Sequence, residues 1–276
     1  MKIGKFNVLL GADPELFVSK GGEFVSAHGM VEGTKKKPFP VKNGAVQVDG
    51  MALEFNIDPA ENSLEFANNL DSVMLQLGAM VPEYNLEAVP VAHFSKEVME
   101  AAPREALELG CEPDFNAWEG GRANPTPNGD VDFRTAAGHI HIGWTEGIDI
   151  NDVGHVEACI LLAKQLDFYL GLPSILLDPD NKRRELYGKA GAFRVKTYGM
   201  EYRVLSNFWL KDRSLMRWVH TNTMEAFSNL LNNGGRPRYG PHTENIINES
   251  GRKESVKLIK LFGLHMPPKV LIKGLL

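Results

Sequence analysis

Charged side chains set at every second position inside otherwise apolar runs constrain this chain more than any other feature. Asp13 and Glu15 lie in LLGADPELFV, His139 and His141 in GHIHIGW, and Glu201 and Arg203 in MEYRVL; Glu54 stands between Leu53 and Phe55, with Asp49 shortly before it. Residues two apart in a strand share a face. Each pair is therefore presented to one side while its apolar neighbours face the other. A carboxylate with buried neighbours has to be paired, hydrogen-bonded or bound to metal. Several such strands in one sheet would gather many carboxylates in one cavity, and a divalent cation relieves their repulsion most directly. Hard oxygen ligands, completed by an imidazole, suit Mg²⁺ or Mn²⁺ better than a soft metal.

Each feature also has an ordinary reading. Asp13-Pro14 can open a turn, an HxH pair occurs in plain cores, and Glu201-x-Arg203 can be half of a cross-strand ion-pair set. Their joint occurrence is harder to explain as packing. Arg183, Arg184, Arg194 and Arg203 fall close together, with Lys189 and Lys196 among them. The run reads either as a solvated basic face or as a clamp whose guanidinium groups grip polyphosphate oxygens. Carboxylates for metal beside arginines for phosphate follow the logic of nucleotide phosphoryl transfer. The sequence has no Walker A pattern, kinase signature or dinucleotide fingerprint, so a nucleotide site here would be of another type.

The order of elements is strand-rich, without regular βαβ alternation. Strands are expected over 5–18, from Glu23 to Ala27 after a Gly21-Gly22 turn, and over 44–57 with a turn at Asp49-Gly50. A helix should follow, capped by Asp58 with Pro59 at its first position, and its apolar face of Leu64, Ala67, Leu70, Val73, Met74 and Leu77 should be core. Residues 112–130 form a long loop. A strand at 138–144 precedes a helix at 152–170 that Gly171 and Pro173 should end. Strands at 193–198 and 200–205 and a helix at 214–231 complete the central part, and the tail 255–276 reads as a helix and packing segment. The class is α+β with a mostly antiparallel sheet. A hydrophobic fraction of 43% supports a sizeable core, and a net charge of -5 is not the bulk footprint of a nucleic-acid binder. No apolar run approaches a membrane span, and Asp13 breaks the apolar N-terminal segment too early for a signal peptide. Cys111 and Cys159 form no CxxC pair, and Cys159 lies in an apolar stretch that reads as core. A reduced, cytoplasmic setting is the expectation.

Five runs carry a family resemblance: GADPELFV (11–18), VDGMALEFNIDPA (48–60), GCEPDFNAW (110–118), FRTAAGHIHIG (133–143) and YGKAGAFRVKTYGMEYRVLSNFW (187–209). In this order they resemble the glutamine synthetase-like carboxylate–amine ligases, and among them a bacteriophage-associated amidoligase group. The resemblance implies one glutamine synthetase-like ligase domain over 1–276, with 235–276 a C-terminal packing extension. It implies a curved, mostly antiparallel sheet around an ATP and Mg²⁺ (or Mn²⁺) site, with helices on the outer face. Asp13, Glu15, Glu54, His139 and Glu201 look like its metal ligands, although Asp13 stands where synthetases more often have Glu. His141, Arg194 and Arg203 look like nucleotide contacts, with Lys189, Lys196 and Arg184 added to that set. Glu15, Glu54 and Arg203 would act in catalysis, and Asp114 or Asn116 would orient the amine. The implied reaction joins a small-molecule or peptide carboxylate to an amine through an acyl phosphate. Nucleic acid would enter only as a modified-base substrate. A homo-oligomer is allowed, since some relatives build the site across subunits. The setting would be cytoplasmic, in an infected bacterial host if the chain is phage-encoded. Two rivals remain at this level: a metal-dependent hydrolase using the HxH pair, and a non-catalytic binding protein on the same fold.

Overall fold

The computed structural model of the chain describes residues 7–108, 114–126, 131–178, 181–240 and 242–268. Cys111 and parts of the loop 112–130 and of the C-terminal tail lie outside these residues. The chain begins with β1 (Leu9–Lys20), β2 (Glu23–Val25), β3 (Phe39–Val41), β4 (Gly44–Asp49) and β5 (Ala52–Ile57), followed by α1 (Ser63–Met80). Short elements come next: β6 (Asn85–Glu87), β7 (Val91–His93), α2 (Lys96–Ala101), α3 (Arg104–Leu107), β8 (Phe115–Asn116), β9 (Arg122–Ala123) and β10 (Phe133–Thr135). Then follow β11 (Gly138–Gly143), α4 (Val153–Leu166), α5 (Leu172–Ser174), α6 (Lys182–Leu186), β12 (Ala192–Lys196), β13 (Gly199–Tyr202), α7 (Arg213–Asn232), α8 (Thr243–Asn248) and α9 (Arg252–Phe262).

The large sheet runs β3-β4-β5-β1-β11-β13-β12-β8-β9, with β2 and β6 also paired to β1, and its pairings are antiparallel. β7 and β10 form a separate pair. One face of the large sheet is apolar. Leu10, Ala12, Leu16, Ile140, Ile142, Phe193, Met200 and Tyr202 on this face are all buried in the main core. Helix α1 packs on β4 and β5, α4 on β12 and β13, and α7 on both helices. Cys159 is buried in this layer, and Ile247, Val256 and Ile259 from the last two helices join the same core. Among the described residues, no helix is long and apolar enough to cross a membrane.

Three local expectations are corrected. Asp58 does not cap α1: its N–H bonds Asn43, Ala60 pairs with Leu10, and the chain stays extended to Asn62. Asn62 is the cap, accepting from the N–H groups of Leu64 and Glu65, while Glu65 accepts from the Glu61 N–H. Leu64, placed by this shift in the first turn, is exposed rather than core. Gly171 and Pro173 do not end the helix at 170. The chain passes through a π-turn at Asp167–Gly171 into α5, and Gly171 keeps helical dihedrals. Its role is close approach, since a Cβ there would lie 2.7 Å from the Tyr202 hydroxyl.

The π-turn aims Asp167 at the back of the sheet. Its carboxylate is fully buried and accepts from Trp118 Nε1 at 2.6 Å and from the Tyr202 hydroxyl at 2.7 Å. Burial outweighs both hydrogen bonds and pushes this carboxyl up to about 7. A raised value means that the folded state prefers the protonated form, so folding loses stability as pH rises from the ordinary carboxylate range through 7. Asp167→Asn has no such dependence. Its stability relative to wild type should improve between pH 5 and pH 8 by on the order of 2 kcal/mol, as read by urea unfolding at the two pH values.

Candidate functional site

The polar face of the sheet is built by register. Glu54 lies opposite Glu15, Asp13 opposite His139, Gly11 opposite His141, His141 opposite Glu201, and Glu201 opposite Arg194. Directly opposed residues project to the same side, so five strands place these groups together. Gly138, at the start of β11, makes room for the chain that follows β13. A Cβ on Gly138 would lie 2.4 Å from both Ser206 O and Trp209 Nε1. Gly11 leaves open the space opposite His141.

Glu201 is the hub. It is 1% exposed, and its Oε1 accepts from Arg203 Nη1. Arg194 Nη1 lies 3.7 Å from Oε1, and Lys196 Nζ lies 3.0 Å from Oε2. Burial alone would raise its pKa, but Arg203, His139, His141 and Lys196 outweigh burial and hold it well below the usual range. Arg203 Nε also reaches Asp114 Oδ2 at 3.3 Å, and Asp114 Oδ1 accepts from Asn124 at 2.9 Å.

Asp13, His141 and Glu201 bring three possible ligand atoms within 4.8 Å of one another. Asp13 Oδ1, His141 Nε2 and Glu201 Oε2 are buried; His141 Nε2 lies 3.0 Å from Asp13 Oδ1, and Lys196 Nζ lies 3.0 Å from Glu201 Oε2. The other ring nitrogen of His141 meets the Tyr198 hydroxyl at 2.5 Å, which fixes the ring with Nε2 toward Asp13. Burial works against protonation of His141, but Asp13, its hydrogen bond and Glu201 outweigh burial and raise the pKa. His139 behaves differently. Its Nδ1 lies 3.4 Å from Glu201 and 3.7 Å from Asp13, yet it also faces Arg203 Nη1 at 3.2 Å. Burial and Arg203 hold its pKa well below the ordinary value. The geometry thus puts His141 with Asp13 and Glu201, and His139 against Arg203.

Glu15 and Glu54 form a second acidic pair. Burial and Asp49 push Glu15 up to about 7 against the Ala137 N–H, Arg183 and Arg203. Burial, Asp13, Asp49 and Glu15 push Glu54 well above its usual range against a 2.7 Å hydrogen bond from Gln47. Two recesses flank these groups. A cavity of about 670 Å³ is lined by Asp13, Glu54, His141, Lys35, Trp144 and Tyr198. A smaller one of about 70 Å³ is lined by Glu15, Asp49, His139, Arg134, Met51 and Arg203.

Several expected residues are placed elsewhere. Arg184 is buried and donates to Ser250 Oγ at 2.9 Å, beside Tyr202 on the apolar side of β13. Arg183 is a strut rather than a clamp, donating to the carbonyls of Ala136, Val204 and Arg203. Lys189 is exposed on the loop before β12. Asn116 is committed to the Trp118 N–H at 2.9 Å. Sequence reading passed over Tyr198 and Gln47. Gln47 lies two residues from Asp49 on β4 and opposite Glu54, an alternation that was legible; Tyr198 had no local signal.

Residues 125–226 match the family model described as phage phiEco32-like COOH.NH2 ligase-type 2. The chain is similar to carboxylate–amine ligases over this segment. The ligase-like segment is less than half of the chain. It holds His139, His141, Arg194, Glu201 and Arg203, whereas Asp13, Glu15 and Glu54 lie outside it. No curated protein sequence matches the chain. Among solved structures, the chain is similar to a bifunctional glutathione synthetase from Pasteurella multocida at 11% identity and a TM-score of 0.45. The match covers 93% of this chain and 49% of that one, so the chain spans about half its length.

The donor geometry yields a direct test. His141→Ala and Asp13→Asn should each weaken Mn²⁺ binding by at least about tenfold, and His139→Ala should weaken it less. Calorimetric titration of Mn²⁺ reads all three. A larger loss for His139→Ala than for His141→Ala would restore the role implied by the resemblance.

Proposed function

We propose that the chain is an ATP-dependent carboxylate–amine ligase on a glutamine synthetase-like fold, working as one unit with residues beyond 235 as a packing extension. One observation carries the reading: a single sheet face gathers acidic groups, imidazoles and three basic side chains between two recesses. The residues fit a divalent cation, because two buried carboxylates and an imidazole bring ligand atoms together within 4.8 Å. Asp13, His141 and Glu201 would hold Mg²⁺ or Mn²⁺, with Glu54 and Glu15 adjoining. When bound, the cation supplies charge neutralisation for a polyphosphate.

The reaction follows from elementary chemistry. A free carboxylate does not acylate an amine at neutral pH. Transfer of the γ-phosphoryl group of ATP to the carboxylate gives an acyl phosphate and ADP. The amine then attacks the acyl carbon, and phosphate leaves. Two anions meet in the first step, so neutralising their charge dominates the barrier. Arg194, Lys196 and Arg203 present cations on one wall of the site. Asp114 orients Arg203 and stands near the place where an amine would approach. Glu15 has a pKa near neutrality and can accept the proton that an incoming ammonium must lose. The larger recess has the volume for a nucleotide, and the smaller one suits the reacting ends of the carboxylate and amine.

The test is to incubate the protein with ATP, Mg²⁺ and panels of carboxylates and amines, peptides and modified nucleobases included. Substrate-dependent ADP release together with an amide of the expected mass is the predicted result. Arg203→Ala should lower turnover by about 10²–10³, equivalent to about 2.7–4 kcal/mol, and Glu15→Gln should abolish it. Full activity in both variants would refute the site. Lack of ATP binding by calorimetry would favour a metal-dependent hydrolase instead.

A further inference from the structure

Arg194, Lys196 and Arg203 already hold an anion in this structure. Glu201 takes a hydrogen bond from Arg203 on Oε1, with Arg194 3.7 Å from that oxygen and Lys196 3.0 Å from the other. A carboxylate 1% exposed among three cations occupies the place that a phosphoryl group would need. The same carboxylate is also one of the three donors converging with Asp13 and His141. Arg203 and Arg194 both meet Oε1, whereas Oε2 meets Lys196, so Oε2 is the oxygen shared with fewer of the three basic side chains. One carboxylate thus faces two competing demands. A divalent ion attracts it about twice as strongly as a monovalent one at equal distance. Every share of charge that Glu201 gives to a metal is withdrawn from the three cations.

We propose that Glu201 is an internal counter-anion that masks the Arg194–Lys196–Arg203 site, and that a divalent cation at Asp13, His141 and Glu201 unmasks it for phosphate-class anions. Cation and anion then bind as a coupled pair, each tightening the other by the same factor. The proposal rests on the ligase reading for the identity of the two ligands, and it adds the order imposed on them. Asp114 also touches Arg203, but it shares neither the contacts to Arg194 and Lys196 nor the convergence with Asp13 and His141.

The coupling can be read without ATP, carboxylate or amine. Sulfate mimics a phosphoryl group and holds Mn²⁺ only weakly in solution, so it is the probe for calorimetric titration. Wild-type protein should bind sulfate about tenfold tighter in saturating Mn²⁺ than in EDTA, and Mn²⁺ tighter by the same factor in saturating sulfate. Glu201→Gln should bind sulfate in EDTA nearly as tightly as the Mn²⁺-loaded wild type and gain nothing from Mn²⁺. Asp114→Asn removes an equal charge beside Arg203 but leaves the mask in place, so its sulfate affinity should still rise with Mn²⁺. Equal sulfate affinity of the wild type with and without Mn²⁺ overturns the proposal, even if Glu201→Gln fails to fold. Loss of the Mn²⁺ gain in both variants also overturns it, because general charge would then explain the coupling. Amide synthesis without coupling removes the mask alone, and coupling without amide synthesis removes the ligase reading alone.

Discussion

The antiparallel register of β1, β11 and β13 governs the rest of the molecule. It places Asp13 across from His139, Gly11 across from His141, and His141 across from Glu201. A slip of one residue on any of these strands would turn its polar set into the apolar core and its apolar set toward the cavity. The fold is held in register because both errors are costly. The apolar face carries Leu10, Ile140, Ile142 and Met200 against the helices, and the other face carries charges that only their mutual pairing makes tolerable.

That pairing is concentrated at Glu201. An isolated carboxylate as deeply buried would be neutral; here Arg203, the two histidines and Lys196 keep it charged. Glu15 and Glu54 show the opposite balance. They face each other across β1 and β5 with too few cations nearby, and both are pushed up. The face therefore has an over-neutralised end around Arg203 and an acid-rich end around Glu54. Such a gradient suits ligands that bring both a cation and polyanionic charge.

The back of the sheet supports this arrangement. Asp167 ties Trp118, at the root of the segment bearing Asp114, to Tyr202, which lies between Glu201 and Arg203. Arg183 binds the carbonyls of Ala136 and Arg203, and Ala137 donates to Glu15 at 2.8 Å. These buried side chains thus fix the backbone that aims the groups on the polar face. Arg183 shows why such struts are hard to read in advance. In sequence it looks like one more basic residue in a cationic run. In the fold its guanidinium donates to backbone carbonyls while lining the smaller recess beside Glu15 and His139.

The sequence by itself determined the strands of the polar face and which residues share it, since period-two alternation of charged and apolar residues fixes a side-chain face whatever the neighbouring strands are. Asp13, Glu15, Glu54, His139, His141, Glu201 and Arg203 were all legible for that reason, as was the mostly antiparallel sheet. Only the tertiary structure decided how they divide the work. Which histidine faces a guanidinium and which meets Asp13 beside Glu201 depends on cross-strand register and on Tyr198, contacts between residues far apart in the chain. The same holds for Arg183, Arg184 and Lys189, whose places depend on what packs over them, and for the start of α1, which bridges to β1 delay to Asn62. Local pattern encodes the face a residue occupies; only packing in three dimensions encodes the partner it meets there.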